Sequence, residues 1–281
     1  MRIRDYSLPA GWHPRDPSEI SGTIARFISE FEDPDCFSRA AIAPHAGWYY
    51  CGRLAAQSVS CLDPQAETVA VFGGHLPASS PPLFAMEDAV KTPFDPMPID
   101  NELRAILLKD LNGAEDRFAD NTVEVLLPMV RFFFPNARLL WLRLPAGMAS
   151  FDAGKIVART AANINRKINV LSSTDLTHYG LNYGFLPHGT GEKALNWVRD
   201  VNDANFIKAV ESGVSEDVLK SAQRDHSACS AGAVLGAMGF ADALNLGAPR
   251  LIKYATSADA APDSSDVPDS FVGYAAFSFC G

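Results

Sequence analysis

The chain has 281 residues, of which 47% are hydrophobic, and it contains no run near the roughly 20 apolar residues that a membrane-spanning helix requires. This composition predicts a globular protein with a large core, and we expect no membrane association. A formal net charge of −9 argues against a broad basic surface, so no nucleic-acid partner is expected.

The predicted elements alternate between helices and short apolar strands. The first, DPSEISGTIARFISEF, carries Ile24, Phe27 and Ile28 at helical spacing, which predicts an amphipathic helix. Strands are then predicted, in chain order, at RAAIAP, ETVAVFGG, ARLLWLRLP, INVLSSTD, PRLIKYATS and SFVGYAAFSF. Further helices are predicted at NELRAILLKDL, EVLLPMVRFFF, DAGKIVARTAANIN, EKALNWVRDVNDANFIKAVES and SEDVLKSAQRD.

Several of these strands are apolar along their whole length, which is typical of strands buried on both faces. No linker, repeat or low-complexity run divides the chain. The pattern therefore predicts one domain over residues 1–281, an α/β/α sandwich around a largely buried mixed sheet.

The cysteines indicate a reducing environment. They are odd in number, scattered and without CxxC spacing: Cys36, Cys51, Cys61, Cys229 and Cys280. The N-terminal stretch MRIRDYSLPAGWHP has no apolar core of a secretory signal. We therefore expect a cytoplasmic protein with reduced cysteines.

Three histidines follow predicted buried strands. His45 follows RAAIAP, His75 follows TVAVFGG, and His178 follows NVLSSTDLT, with Asp175 just before it. In open α/β sheets, ligand sites form beyond the carboxyl ends of the strands. We therefore expect these side chains to border one cleft.

Imidazoles that converge in a cleft indicate a metal site, which also needs an anionic ligand. The candidate region is QRDHSACSAGAVLGAMG, where Asp225, His226 and Cys229 precede a predicted helix of small residues. A thiolate near a helix N-terminus has a lowered pKa and is suited to bind a metal. The residues alone leave the choice among these three open.

The ordered blocks PHAGWYYCG, FGGH, TVEVLLPMV, SSTDLTHYG, CSAGAV and VGYAAFSF resemble the Memo-like family, also called AmmeMemoRadiSam system protein B, over nearly the whole chain. That family is similar in fold to the class III extradiol dioxygenases, which hold non-haem Fe(II). The resemblance implies that His45, His75 and Cys229 are metal ligands. It also implies that Asp175 and His178 line the pocket.

Two positions depart from the family pattern. Asn121 stands where the family has a histidine near the cleft, while Glu124 is kept. In addition, CSAGAV replaces the usual CGYGPI and follows an unexpected His226. His226 thus remains an alternative to Cys229 as the third ligand.

Two functions are compatible with these features. The resemblance implies a dioxygenase-like oxidoreductase that binds Fe(II), acts on an aromatic or similar small molecule, and uses His178 as acid or base with Asp175 orienting it. The alternative is a non-catalytic iron- or copper-binding protein, or a signalling adaptor, since a thiolate suits Cu(I) and Zn also binds such ligands. A metal-dependent hydrolase is a weaker reading, since the chain has no HExxH motif. The family name also suggests a radical-SAM partner protein.

Overall fold

The computed structural model describes residues 1–29, 31, 37–260 and 267–280. The strands are β1 (Ile3–Arg4), β2 (Ala40–Ala43), β3 (Thr68–Leu76), β4 (Leu83–Phe84), β5 (Ala89–Val90), β6 (Met97–Pro98), β7 (Ala114–Glu115), β8 (Arg138–Pro145), β9 (Ile168–Ser173), β10 (His178–Gly180), β11 (Arg250–Thr256) and β12 (Ser270–Ser278). The α-helices are α1 (Pro17–Ile28), α2 (Trp48–Ser60), α3 (Asn101–Asp110), α4 (Asn121–Glu124), α5 (Leu127–Phe133), α6 (Ala149–Asn163), α7 (Glu192–Trp197), α8 (Ala204–Glu211), α9 (Ser215–Asp225) and α10 (Ala231–Ala243).

The main sheet is mixed. Within the described residues its strands follow the order β10-β12-β2-β9-β3-β8-β4-β7, and β11 pairs with β12. The central strands β2, β9, β3 and β8 are parallel, whereas β12 runs antiparallel to β2. A separate small sheet joins β1, β5 and β6. The predicted mixed sheet is confirmed.

Helices cover both faces of the sheet. Alternate residues of a strand point to opposite faces, so Ala70 and Phe72 of β3 pack toward α6 and α10, whereas Val69 and Val71 pack toward α1, α2 and α5. All four of these side chains are fully buried. This confirms the expected α/β/α layering and explains the continuous apolarity of the strands.

The cysteines differ from the expectation at one position. Cys51, Cys61 and Cys229 are free, whereas Cys280 is disulfide-bonded, so the expectation of reduced cysteines is wrong there. Cys36 lies outside the described residues. None of the described helices combines the length and the apolarity needed to cross a membrane.

Candidate metal centre

The predicted cleft lies at the carboxyl edge of the parallel strands. His45 follows the end of β2, His75 lies near the end of β3, and Asp175 follows the end of β9. These strands are neighbours in the order β2-β9-β3, so their ends meet. Cys229 lies in the short connection between α9 and α10.

Three side chains form a compact cluster at this edge. The metal-binding atoms of His45, His75 and Cys229 all lie within 4.8 Å of one another. Nε2 of His45 is 3.2 Å from Sγ of Cys229, and the two imidazole rings are nearly perpendicular with centroids 5.0 Å apart. The structure thus brings together the three residues that the family resemblance implied as metal ligands.

His45 is held on several sides. Its side chain is buried, and Nδ1 lies 2.9 Å from the hydroxyl of Ser173, which leaves Nε2 facing Cys229. Its backbone N–H donates to Oδ1 of Asp175 at 2.7 Å, and its carbonyl accepts from the amide of Asn121 at 2.9 Å. Asn121 therefore supports His45 through the backbone carbonyl of that histidine.

His75 is oriented by a carboxylate. Its Nδ1 is 3.0 Å from Oδ2 of Asp120, which leaves Nε2 for the cluster. Arg143 donates from Nη2 to the same carboxylate and from Nε to the carbonyl of Gly74, at 3.1 and 3.0 Å. One buried guanidinium thus fixes both the residue before His75 and the carboxylate that orients its ring. These contacts hold His75 at φ 55°, a conformation that side-chain-bearing residues rarely adopt.

Cys229 is fixed against the end of β9. Its backbone N–H donates to the carbonyl of Asp175 at 3.2 Å, and the backbone N–H of Asp175 points to Sγ at 3.3 Å. The next residue, Ser230, packs so closely on Gly74 that a Cβ there would lie 2.4 Å from the serine Cβ. Close packing of β3 on the start of α10 therefore sets the distance between His75 and Cys229.

The pKa values of the side chains in and beside the cluster are shifted from their ordinary values. Burial opposes the thiolate of Cys229, but His45 and His75 outweigh it and hold the pKa of this thiol well below its ordinary value. Burial likewise disfavours charge on His75, yet hydrogen bonds to Asp120 and Cys229 raise its pKa to about 10. Burial raises the pKa of Asp175 despite the opposing attraction of His45. A thiolate of Cys229 beside a protonated His75 is therefore the favoured state of the cluster at neutral pH.

A cavity of about 540 Å³ opens beside the cluster, and His45, His75, Asp175 and His178 line it. His178 lies at the start of β10, and its Nδ1 is 3.2 Å from the carbonyl of Leu176. Asp175 accepts a hydrogen bond from the backbone of His45, and among the described residues it makes no hydrogen bond to His178.

The alternative third ligand lies elsewhere. His226 ends α9 in a left-handed conformation, is exposed, and packs on the ring of Phe185. In contrast, sequence reasoning did not identify Ser173, Asp120 or Arg143. Asp120 stands directly before Asn121 in DNTVE, but no spacing rule links it to His75, which is 45 positions away.

The donor set fits a soft or borderline transition metal. Two imidazole nitrogens and a thiolate suit Fe(II), Cu(I) and Zn, and hard cations such as Mg²⁺ prefer oxygen. In a tetrahedral site with bonds of roughly 2.0–2.3 Å, two nitrogen or sulfur ligand atoms lie about 3.3–3.6 Å apart. The distance of 3.2 Å between Nε2 of His45 and Sγ of Cys229 is close to this value, whereas the spread of up to 4.8 Å requires a side-chain movement of about 1 Å.

The chain matches known proteins over almost its whole length. The Memo-like protein family matches residues 4–278. A "MEMO1 family protein" of Pyrobaculum arsenaticum is 28% identical, with 99% of each chain covered. Another of the same name from Methanococcoides burtonii is also 28% identical, with 98% of each chain covered.

Among solved structures, the chain is similar to an uncharacterized protein, JW3007, from Escherichia coli K12. The TM-score is 0.47 and the identity 12%, with 84% of this chain and 98% of that chain covered. On the match over residues 4–278, this chain belongs to the Memo-like protein family.

Proposed function

We propose that the protein binds one metal ion through Nε2 of His45, Nε2 of His75 and Sγ of Cys229. The observation that carries this proposal is the convergence of three metal-competent atoms within 4.8 Å from separate elements. Each histidine has its Nδ1 occupied, by Ser173 and by Asp120, as expected of ligands whose tautomer is fixed.

We further propose a dioxygenase-like reaction on a small aromatic molecule. Fe(II) bound here would supply open positions at which O₂ and the substrate meet. Trp12, Tyr50, Tyr183 and Tyr274 line the cavity and provide apolar surface for a ring.

His178 is the acid–base group of this proposal. Its Nδ1 faces the carbonyl of Leu176, so the neutral ring carries its proton there and Nε2 is the atom that accepts a substrate proton. The ring of Tyr183 packs edge-on against His178 at 4.9 Å and fixes its orientation. Asn121 carries no titratable group, so it does not share this role.

The test begins with metal analysis of anaerobically purified protein. The Fe(II)-loaded protein is then mixed with catechol and O₂, and a yellow ring-opened product is followed by absorbance. We expect His45→Ala and His75→Ala to lose the metal, whereas His178→Gln should retain the metal and lose turnover. Metal retained by the two ligand variants would refute the site, and absence of product with wild-type protein would refute the reaction.

A second candidate function is supported by the thiolate. Cu(I) favours soft ligands, and the described residues supply one sulfur and two nitrogens without any carboxylate in the cluster. A non-catalytic iron- or copper-binding protein would use the same three residues. Tight Cu(I) binding without turnover of any catechol would favour this function over the first.

A further inference from the structure

A second cavity adjoins the one at the metal centre. Its volume is about 950 Å³, against about 540 Å³ for the first. Both are lined by Tyr50, Tyr183, Val272 and Tyr274, so the two cavities adjoin at these side chains. A ligand larger than one ring would have to pass these side chains to extend from the histidines into the second cavity.

Tyrosine rings dominate the boundary between the cavities. Tyr49 joins the three shared tyrosines, and its ring is perpendicular to that of Tyr50 with centroids 5.0 Å apart. Tyr49, Tyr50 and Tyr183 are 70%, 49% and 46% exposed, so their faces are open to a ligand. Aromatic faces attract cations, most strongly when several surround the charge.

The unpaired charge on the wall of the second cavity is negative. Glu192 and Asp269 line it, are exposed, and form no ion pair with any residue in the described ranges. Arg199 also lines the cavity, but its Nη2 is 2.6 Å from a carboxylate oxygen of Asp259, which neutralises it. A ligand there meets two carboxylates and no free cation of the lining.

We propose that the second cavity binds the protonated amine of a small organic cation, between the tyrosine rings and the carboxylates of Glu192 and Asp269. The amine subsite stands independently of catalysis. The rest of the same molecule would extend to His45 and His75, and this part of the inference rests on the proposed function.

An anionic ligand is the opposing possibility, because α7 begins at Glu192 and the N-terminus of a helix carries partial positive charge. The carboxylate of Glu192, at this terminus, already offsets that charge. An anion would also approach Asp269, whose side chain no basic residue of the lining neutralises. The wall therefore favours a cation.

The test uses the metal-free full-length chain and three probes of similar size: phenethylammonium, phenethyl alcohol and phenylpropionate. Their binding is measured by ligand-observed NMR at low ionic strength. We expect the ammonium compound to bind about tenfold more tightly than the alcohol and the anion to bind most weakly. Added salt should reduce this preference, since the carboxylates are exposed.

The double variant Glu192→Gln/Asp269→Asn should remove the preference for the ammonium probe. The matched control Asp110→Asn/Glu216→Gln changes the net charge by the same amount at exposed positions that do not line the cavity. This control should retain the preference for the ammonium probe. Equal binding of all three probes, or a preference that survives in the double variant, would overturn the inference. Because no metal is present, these outcomes are independent of whether the metal centre turns over a catechol.

Discussion

Sγ of Cys229 lies 3.2 Å from Nε2 of His45, although 184 positions separate them along the chain. The backbone N–H of Cys229 donates to the carbonyl of Asp175, and the backbone N–H of Asp175 donates to Sγ of Cys229. The carboxylate of Asp175 in turn accepts from the backbone N–H of His45. Asp175 is therefore the residue that ties the ends of β2 and β9 to the start of α10. Its buried carboxylate has a structural reason to be there whether or not it meets a substrate.

Replacing Cys229 by serine should weaken binding of Cu(I) more than binding of Fe(II), because copper depends more on a soft ligand. Loss of a supporting contact costs about 10–100-fold in metal affinity, so loss of this ligand should cost Cu(I) about 100-fold or more. Anaerobic competition with a chromogenic chelator measures both metals. Cys61→Ser, at a free cysteine that ends α2, is the control. Unchanged affinity for both metals, together with loss of metal in His226→Ala, would transfer the ligand role to His226.

The Asp120→Asn variant should reduce metal affinity by about 10–100-fold without removing any ligand. His75 and Arg143 both contact Oδ2 of Asp120, whereas Oδ1 accepts from the backbone N–H of Thr122. An amide has one oxygen and one NH2 group, so it cannot accept on both sides, and it carries no charge to attract Arg143. The His75 ring therefore loses its fixed orientation. The measurement is the same chelator competition, with Asp110→Asn as an exposed control. If Asp120→Asn binds metal as tightly as the wild type, Asp120 does not position His75.

The sequence was sufficient to predict the sheet but not all of its surroundings. RAAIAP and TVAVFGG lie where β2 and β3 are found, because continuous apolar runs report burial on both faces. The two-residue strands β1 and β4 to β7 are too short to show any periodicity. The predicted helix EVLLPMVRFFF is interrupted, since α4 ends at Glu124 and α5 begins at Leu127.

The candidate metal-binding histidines could be placed from the sequence, whereas the residues that support them could not. His45 follows β2 and His75 lies at the end of β3, and this placement alone predicts that they share an edge. Arg143 lies within the apolar strand β8, where periodicity gives no sign of its partner Asp120, 23 positions earlier. Such pairs depend on tertiary packing, and local pattern carries no information about them.

The Gly74→Ala variant should damage both stability and the metal centre. The new methyl group would lie 2.4 Å from Cβ of Ser230, so β3 and the start of α10 must separate. Overpacking of this kind costs about 1–3 kcal/mol of unfolding free energy and moves His75 away from Cys229. Denaturant titration and metal competition measure the two effects. Gly147→Ala is the matched control, since its nearest atom would be 3.7 Å away. Unchanged metal affinity in Gly74→Ala would show that this packing does not set the ligand distance.

Asp203 should make the free energy of unfolding depend on pH. Its carboxyl group is fully buried, accepts from the backbone of Thr177 at 3.1 Å and from the hydroxyl of Tyr254 at 2.7 Å, and lies against Gly273. Burial raises its pKa from 3.8 to about 7, although these hydrogen bonds act in the opposite direction. The folded chain therefore holds a proton that the unfolded chain releases above about pH 4.

The sign of the effect follows from proton linkage. Between about pH 4 and 7 the folded state binds more protons than the unfolded state, so stability from Asp203 is complete below pH 4 and is lost as the pH rises to 7. In the Asp203→Asn variant, we expect the free energy of unfolding to fall by about 2 to 4 kcal/mol less than in the wild type over this pH range. Urea titrations of both proteins from pH 4 to 8 measure it, and the difference between them cancels the contributions of other groups. A difference that stays constant across this range would mean that Asp203 is ionised in the folded protein throughout.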